Sequence, residues 1–249
     1  MKPPLPRATG TRLYCDSPLS PGAEFALPEA AARHAVTVLR LQVGDTLNLF
    51  NGEGGEYQAS LVAVSKREAR VRLTEFHAAE RESPLAITLA LGISAGERMD
   101  YSLQKATELG VTAIQPLATE RSVVKLAGER AGKRLQHWQH VVIAACEQCG
   151  RNRVPAVAPV QTLFGYLATA DRRLRRLLLS PDAATPLKQV PRSAAVVLLV
   201  GAEGGLAPSE CEAAEASGFE PVSLGPRILR TETAPVAALA VLQSLWGDL

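Results

Sequence analysis

Short runs of alternating apolar and polar side chains dominate residues 46–73. Thr46-Leu47-Asn48-Leu49-Phe50, Tyr57 to Val64 and Ala69 to Leu73 each suit a strand with one face buried. Asn51-Gly52-Glu53-Gly54-Gly55 separates the first two and reads as a hairpin turn, with glycines where positive φ is needed. One helical stretch, Pro28 to Leu39, ends before Val43-Gly44-Asp45. Several short strands and a single helix predict a small β-barrel over residues 12–76. Arg81-Glu82-Ser83-Pro84 is polar and broken by proline, so the pattern sets two domains, 1–80 and 81–249.

Beyond that break the period changes. Leu85 to Leu91 is an apolar run of strand length, and Asp100 to Leu109 is a helix stopped by Gly110. Val111 to Gln115 is a strand that Pro116 should cut, and Arg130 to Cys149 is a long helix. Leu177 to Leu179 and Val196 to Val200 lack polar alternation and are expected as buried strands. Pro208 to Ser217 and Thr233 to Trp246 complete the set as helices, the last with Thr233 as N-cap and Pro235 in its first turn. Strands alternating with helices predict an α/β domain with a mostly parallel sheet covered on both faces.

Composition agrees with a globular chain. Of 249 residues, 47 % are apolar and 21 % charged, which excludes wholesale disorder. Only 4 % are aromatic, so base stacking must rest on few rings or on arginine. No apolar run approaches the roughly 18 residues that span a bilayer, and Met1 to Arg7 holds no apolar stretch of leader length. The expectation is a cytoplasmic protein without membrane contact, with Cys15, Cys146, Cys149 and Cys211 as thiols. The net charge of +2 hides an asymmetry: residues 121–176 carry 11 basic and 3 acidic side chains. Such a block is a candidate polyanion footprint, and equally a solvated helical face.

Three segments carry candidate chemistry. Leu198-Leu199-Val200-Gly201-Ala202-Glu203-Gly204-Gly205-Leu206 runs from a buried strand into a glycine loop, the place where open α/β sheets bind ligands. It has neither a Gly-Lys-Ser/Thr end nor a Gly-x-Gly-x-x-Gly spacing, so it points to a ligand without naming one. Ser223 to Ala234 contains a rigid Gly225-Pro226 turn, then Arg227, Arg230, Thr231 and Glu232 just before an apolar helix. Ala144 to Pro155 contains Cys146-Glu147-Gln148-Cys149 followed by Arg151 and Arg153. A structural zinc site needs four ligands and no second cysteine pair exists, so no metal is expected. Gln148, Arg151 and Arg153 are then candidates to face a ligand at the helix end.

Taken in order, these segments resemble one family. They are similar to the RsmE-type 16S ribosomal RNA uridine-N3 methyltransferases of the SPOUT class. The likeness includes Arg33 to Leu41 with Gly44-Asp45, Leu103 to Val111, Thr119 to Ser122, Cys146 to Pro155, Gly201 to Gly205 and Leu224 to Thr233.

That resemblance implies a C-terminal α/β domain, 81–249, with a trefoil knot, and an N-terminal PUA-like β-barrel, 1–80, that binds RNA. It implies S-adenosylmethionine as cofactor, 16S ribosomal RNA of the small subunit as partner, and a homodimer. Three loops would form the cofactor site: Leu179 and Ser180; Val200, Gly201, Glu203 and Gly204; and Leu224, Gly225, Ile228, Leu229 and Thr231. Main-chain groups of Leu224, Ile228 and Leu229 would hold the adenine. Arg12, Arg33, His34 and Arg40 of the barrel, with Arg121, Arg151 and Arg153, would meet RNA. Uridine N3 must lose a proton before it can attack a methyl group. Glu232 is the candidate base and Arg230 the candidate partner for negative charge on the uracil oxygens. Glu232 could instead only cap the last helix. Two positions depart from the family: Ala202 stands where proline is common, and Ser180 where some relatives carry histidine. The alternatives are a SPOUT methyltransferase acting on another RNA, such as transfer RNA, and a non-catalytic RNA-binding module.

Overall fold

The computed structural model describes residues 10–65, 68–122 and 128–249. The start of the chain, read above as lacking a leader, lies outside them. Two compact units emerge. One contains the residues up to Glu82 together with Cys146–Val154, and the other Ser83–Ala145 with Pro155–Leu249.

The first unit holds β1 (Arg12–Tyr14), β2 (Glu24–Ala26), α1 (Glu29–Arg33), β3 (Thr46–Phe50), β4 (Glu56–Val64) and β5 (Ala69–His77). They form a five-stranded sheet in the order β1-β3-β4-β5-β2, parallel only between β1 and β3. Alternate residues turn inward, and Leu13, Leu47, Leu49, Leu61, Val71 and Leu73 make its apolar core. The helix expected over 28–39 is present, but its second half, His34–Val38, widens into a π turn. Arg40 follows with φ +56°, the one described non-glycine residue in the left-handed region.

Residues 146–154, assigned to the second domain by the sequence pattern, group with this first unit. The reason is a buried polar cluster. Arg12 pairs with Glu56 and donates to the carbonyl of Arg151 at 3.1 Å and to Asn152 Oδ1 at 2.7 Å. Asn152 in turn donates to the Ala79 carbonyl at 2.6 Å. Arg151 Nε donates to Glu82 at 2.9 Å, and the Tyr14 N–H to Glu147 at 2.9 Å.

The second unit is built on β6 (Ala86–Gly92), α2 (Gly96–Glu108), β7 (Ala113–Ala118), α3 (Gly128–Cys149, its last turn in the first unit), β8 (Ala156–Val157) and β9 (Gln161–Thr162). It continues with α4 (Leu163–Thr169), β10 (Arg175–Leu179), β11 (Ala195–Val200), α5 (Pro208–Ala216), β12 (Glu220–Val222) and α6 (Thr233–Trp246). All its strands are parallel, in the order β12-β10-β11-β6-β7-β8, with β9 also on β7. α2 packs on α6, and α4 on α5.

Two expectations are corrected here. Pro116 does not end β7 but sits within it, opposite Leu91. On the other side β8 pairs with residues 113–114 and β9 with 117–118, so the proline falls in a gap where no ladder needs its missing N–H. Thr233 is not the N-cap of α6: Glu232 occupies that place, and its side chain makes no capping hydrogen bond. No helix among the described residues is long and apolar enough to cross a membrane.

Candidate active site

Parallel strands β6, β10, β11 and β12 all deliver their carboxyl ends to one edge of the sheet, and the loops leaving them meet there. Close approach is built into the sequence. A Cβ on Gly92, at the end of β6, would stand 2.4 Å from the nitrogen of Ala202, and one on Gly201 would stand 2.8 Å from the carbonyl carbon of Gly205. Only glycine lets these backbones lie against each other. Ala202 is buried and turns back on Gly205, whose N–H donates to its carbonyl at 2.9 Å.

Side chains then tie the loops together. Thr231 Oγ1 lies 3.2 Å from Ser94 Oγ and donates to the Gly201 carbonyl at 3.4 Å, joining the last loop to the ends of β6 and β11. The loop after β10 is fixed to β12: Ser180 N–H donates to Val222, and Leu187 N–H to Ser223 at 2.8 Å. Arg121 donates to the Gly204 carbonyl at 3.0 Å. Glu210, 2 % exposed, accepts from the N–H groups of Ala207 and Glu120, closing the first turn of α5.

A cleft opens between these loops. Leu179 and Ser180 line it from β10, Val200, Gly201 and Glu203 from β11, and Leu224, Gly225, Ile228, Leu229 and Thr231 from the last loop. Gly204 points elsewhere, against Arg121. The main-chain N–H and C=O groups of Leu224, Ile228 and Leu229 join no hydrogen bond among the described residues. Ile228 is 88 % exposed although apolar. Free main-chain donors and acceptors between apolar side chains fit a flat heterocycle with polar edges, such as adenine.

Next to it lies a second recess lined by Arg98, Arg230 and Glu232, with Glu203, Ile228, Leu229 and Thr231 shared between the two. Glu203 is anchored by the Ala95 N–H at 2.8 Å, and Arg98 approaches the same oxygen at 3.5 Å. Glu232 is half-buried and its carboxylate has no partner among the described residues, so capping does not consume it.

The expected RNA contacts divide into two groups. Arg33 and Arg40 are exposed and His34 half-buried on the π turn, and the Arg153 side chain is 58 % exposed beside Glu80. Arg12 and Arg151, by contrast, are 6 % and 4 % exposed and bound to internal carboxylates. Their role is to hold residues 146–154 in the first unit, which corrects the RNA-facing assignment. Arg121 is committed to the glycine loop through Gly204.

Residues 81–243 match the family described as RNA methyltransferase domain, and residues 27–74 the one described as RNA methyltransferase PUA domain. The ribosomal RNA small subunit methyltransferase E of Buchnera aphidicola subsp. Schizaphis graminum (strain Sg) is 33 % identical over 239 residues, 96 % of this chain and 97 % of that protein. The chain belongs to the ribosomal RNA small subunit methyltransferase E family. A methyltransferase of Legionella pneumophila, solved with bound SAM, superposes with a TM-score of 0.94 at 41 % identity, covering 97 % of this chain and 100 % of that one. The methyltransferase E of Neisseria gonorrhoeae, bound to S-adenosyl methionine, gives 0.90 at 43 % identity with the same coverage.

In this member of the methyltransferase E family, sequence reasoning overlooked Gly92, Ser94 and Arg98. A signal for the first two was present: a buried apolar run ending in Gly-Ile-Ser is a strand entering a close-packed loop, as at Gly201. Nothing local marks Arg98, whose partner Glu203 is 105 residues away.

Proposed function

We propose that this chain methylates N3 of a uridine in bacterial 16S ribosomal RNA, using S-adenosylmethionine, and does so in the cytoplasm. The observation that carries the reading is the pairing of two adjoining spaces. One is an apolar cleft with free main-chain groups; the other is a charged recess that ends on an uncapped glutamate.

When bound, S-adenosylmethionine supplies an electrophilic methyl group on a sulfonium sulfur. The chain's own residues do the rest. Leu224, Ile228 and Leu229 present main-chain groups and apolar walls to the adenine. Thr231 and Gly201 fix the loops between cleft and recess, so that nucleophile and methyl carbon can be aligned in line. Glu232 takes the N3 proton of uracil, and Arg230 stands by the charge that develops on a uracil oxygen. The bound donor would give up its S–CH₃ bond as the N–CH₃ bond formed, while the Glu232 carboxylate would keep the N3 proton. The sulfonium charge and the carboxylate charge disappear together, leaving neutral products.

RNA is held by the first unit through the exposed turn carrying Arg33, His34 and Arg40, and through the exposed Arg153 next to Glu80. A backbone forced to φ +56° at Arg40 is the kind of outlier that clusters at functional turns, which supports this assignment. The chain is further read as a homodimer, with a trefoil knot formed by the loops around the cleft. On α6, Leu239 and Leu242 are fully buried within the chain, while Leu245 is 45 % exposed and available to a twin.

The test is methyl transfer from labelled S-adenosylmethionine to purified small subunits and to transfer RNA in parallel. Label in 16S ribosomal RNA alone supports the reading. Label in transfer RNA, or none anywhere with cofactor binding lost, replaces it with one of the two alternatives.

A further inference from the structure

Arg98 has no part in the chemistry above, yet it lines the recess where that chemistry would occur. It stands in the first turn of α2, with its side chain 48 % exposed. One guanidinium nitrogen lies 3.5 Å from Glu203 Oε1, an oxygen that already accepts the Ala95 N–H. No other side-chain hydrogen bond or ion pair of Arg98 occurs among the described residues. Glu203 lines both the cleft and the recess, so its pairing with Arg98 holds the guanidinium where the two spaces join.

We infer that Arg98 reads the target base by donating to O4 of uracil, and so excludes cytosine. The inference rests on the proposed uridine methylation. A guanidinium has donors only. Uracil presents an acceptor at position 4, whereas cytosine presents an amino donor there. A donor-only group therefore rewards the first base and repels the second. The recess argues against a phosphate as the ligand. Its two arginines, Arg98 and Arg230, are matched by two carboxylates, Glu203 and Glu232. A full anion would meet as much repulsion as attraction, while a neutral carbonyl needs only the hydrogen bond.

Arg98→Gln is the informative variant, since glutamine can donate or accept at position 4. Arg98→Lys keeps the donor and the charge. The probe is an RNA fragment spanning the methylated uridine, alongside its U→C counterpart. Their affinities are measured by fluorescence anisotropy without cofactor, over a series of salt concentrations. Wild type should prefer the U fragment, and Arg98→Gln should narrow that preference by about tenfold or more. Kinetically it should raise KM more than it lowers kcat, with partial recovery in Arg98→Lys. Affinity for S-adenosylmethionine should stay within about twofold of wild type, because Glu203 keeps its bond to Ala95. Equal weakening of both fragments, with the log–log salt slope smaller by about one, would make Arg98 a phosphate contact and overturn the inference. An unchanged U-over-C preference would overturn it too. A wild-type protein that methylates no RNA would sink the functional reading and this inference together.

Discussion

The Glu203 carboxylate accepts the main-chain N–H of Ala95 at 2.8 Å, across 108 residues of sequence. Ala95 is the N-cap of α2 and its own side chain makes no cap, so Glu203 serves that helix from a distance. One bond thereby couples the glycine loop after β11 to the segment leaving β6.

Removing that bond should loosen the cofactor cleft. Glu203→Ala leaves the half-buried Ala95 N–H without its partner, at a cost toward the lower end of about 1–3 kcal/mol. S-adenosylmethionine affinity, measured by calorimetry, is expected to fall by about tenfold to a hundredfold. Glu203→Gln keeps an acceptor and should lose less.

A second prediction concerns Gly92. A methyl group there would lie 2.4 Å from the nitrogen of Ala202 and 2.8 Å from the carbonyl carbon of Gly201. Both are backbone atoms, so the loop itself must move. Gly92→Ala should lower Tm and weaken cofactor binding at least about tenfold, the result of overpacking by about 1–3 kcal/mol. Gly132→Ala is the control, since nothing lies within 4 Å of a Cβ there.

The proposed roles of Glu232 and Arg230 separate chemistry from binding. Neither Glu232→Gln nor Arg230→Ala removes a capping bond, because Glu232 makes none. Both variants should fold, bind S-adenosylmethionine nearly as wild type does, and lose about 10²–10⁴ in single-turnover methyl transfer. Near-normal turnover in either would remove that residue from the mechanism.

Much of this site was legible along the chain because its signals are local. A buried strand running into glycines marked Gly201 to Gly205, and Arg-Thr-Glu before an apolar helix marked 230–232. What escaped depends on distant partners. Charge alone cannot tell an exposed arginine from one paired inside, which is why Arg12 and Arg151 were expected on an RNA surface. Likewise Cys146 to Val154 continues a helix of the second unit but belongs to the first, since its partners are Arg12, Glu82 and Ala79. β12 was hidden by Pro221, which an edge strand tolerates.

The Cys146-x-x-Cys149 pair gives a pH prediction. Burial pushes the Cys146 thiol up to about 12, and burial raises Cys15 as well. A raised thiol pKa means less thiolate at any ordinary pH, and only the thiolate is nucleophilic. At pH 8 both residues should resist iodoacetamide in the native protein and react on unfolding in urea, as read by mass spectrometry. Rapid native alkylation of Cys146 would contradict its placement.

The most direct measurement is nucleoside mass spectrometry of 16S ribosomal RNA from cells lacking this chain and from cells in which it is restored. The account predicts one 3-methyluridine, at a single position, that disappears with the chain and returns with it. The same RNA composition in both samples, or a methyl group that vanishes from another RNA instead, would contradict it.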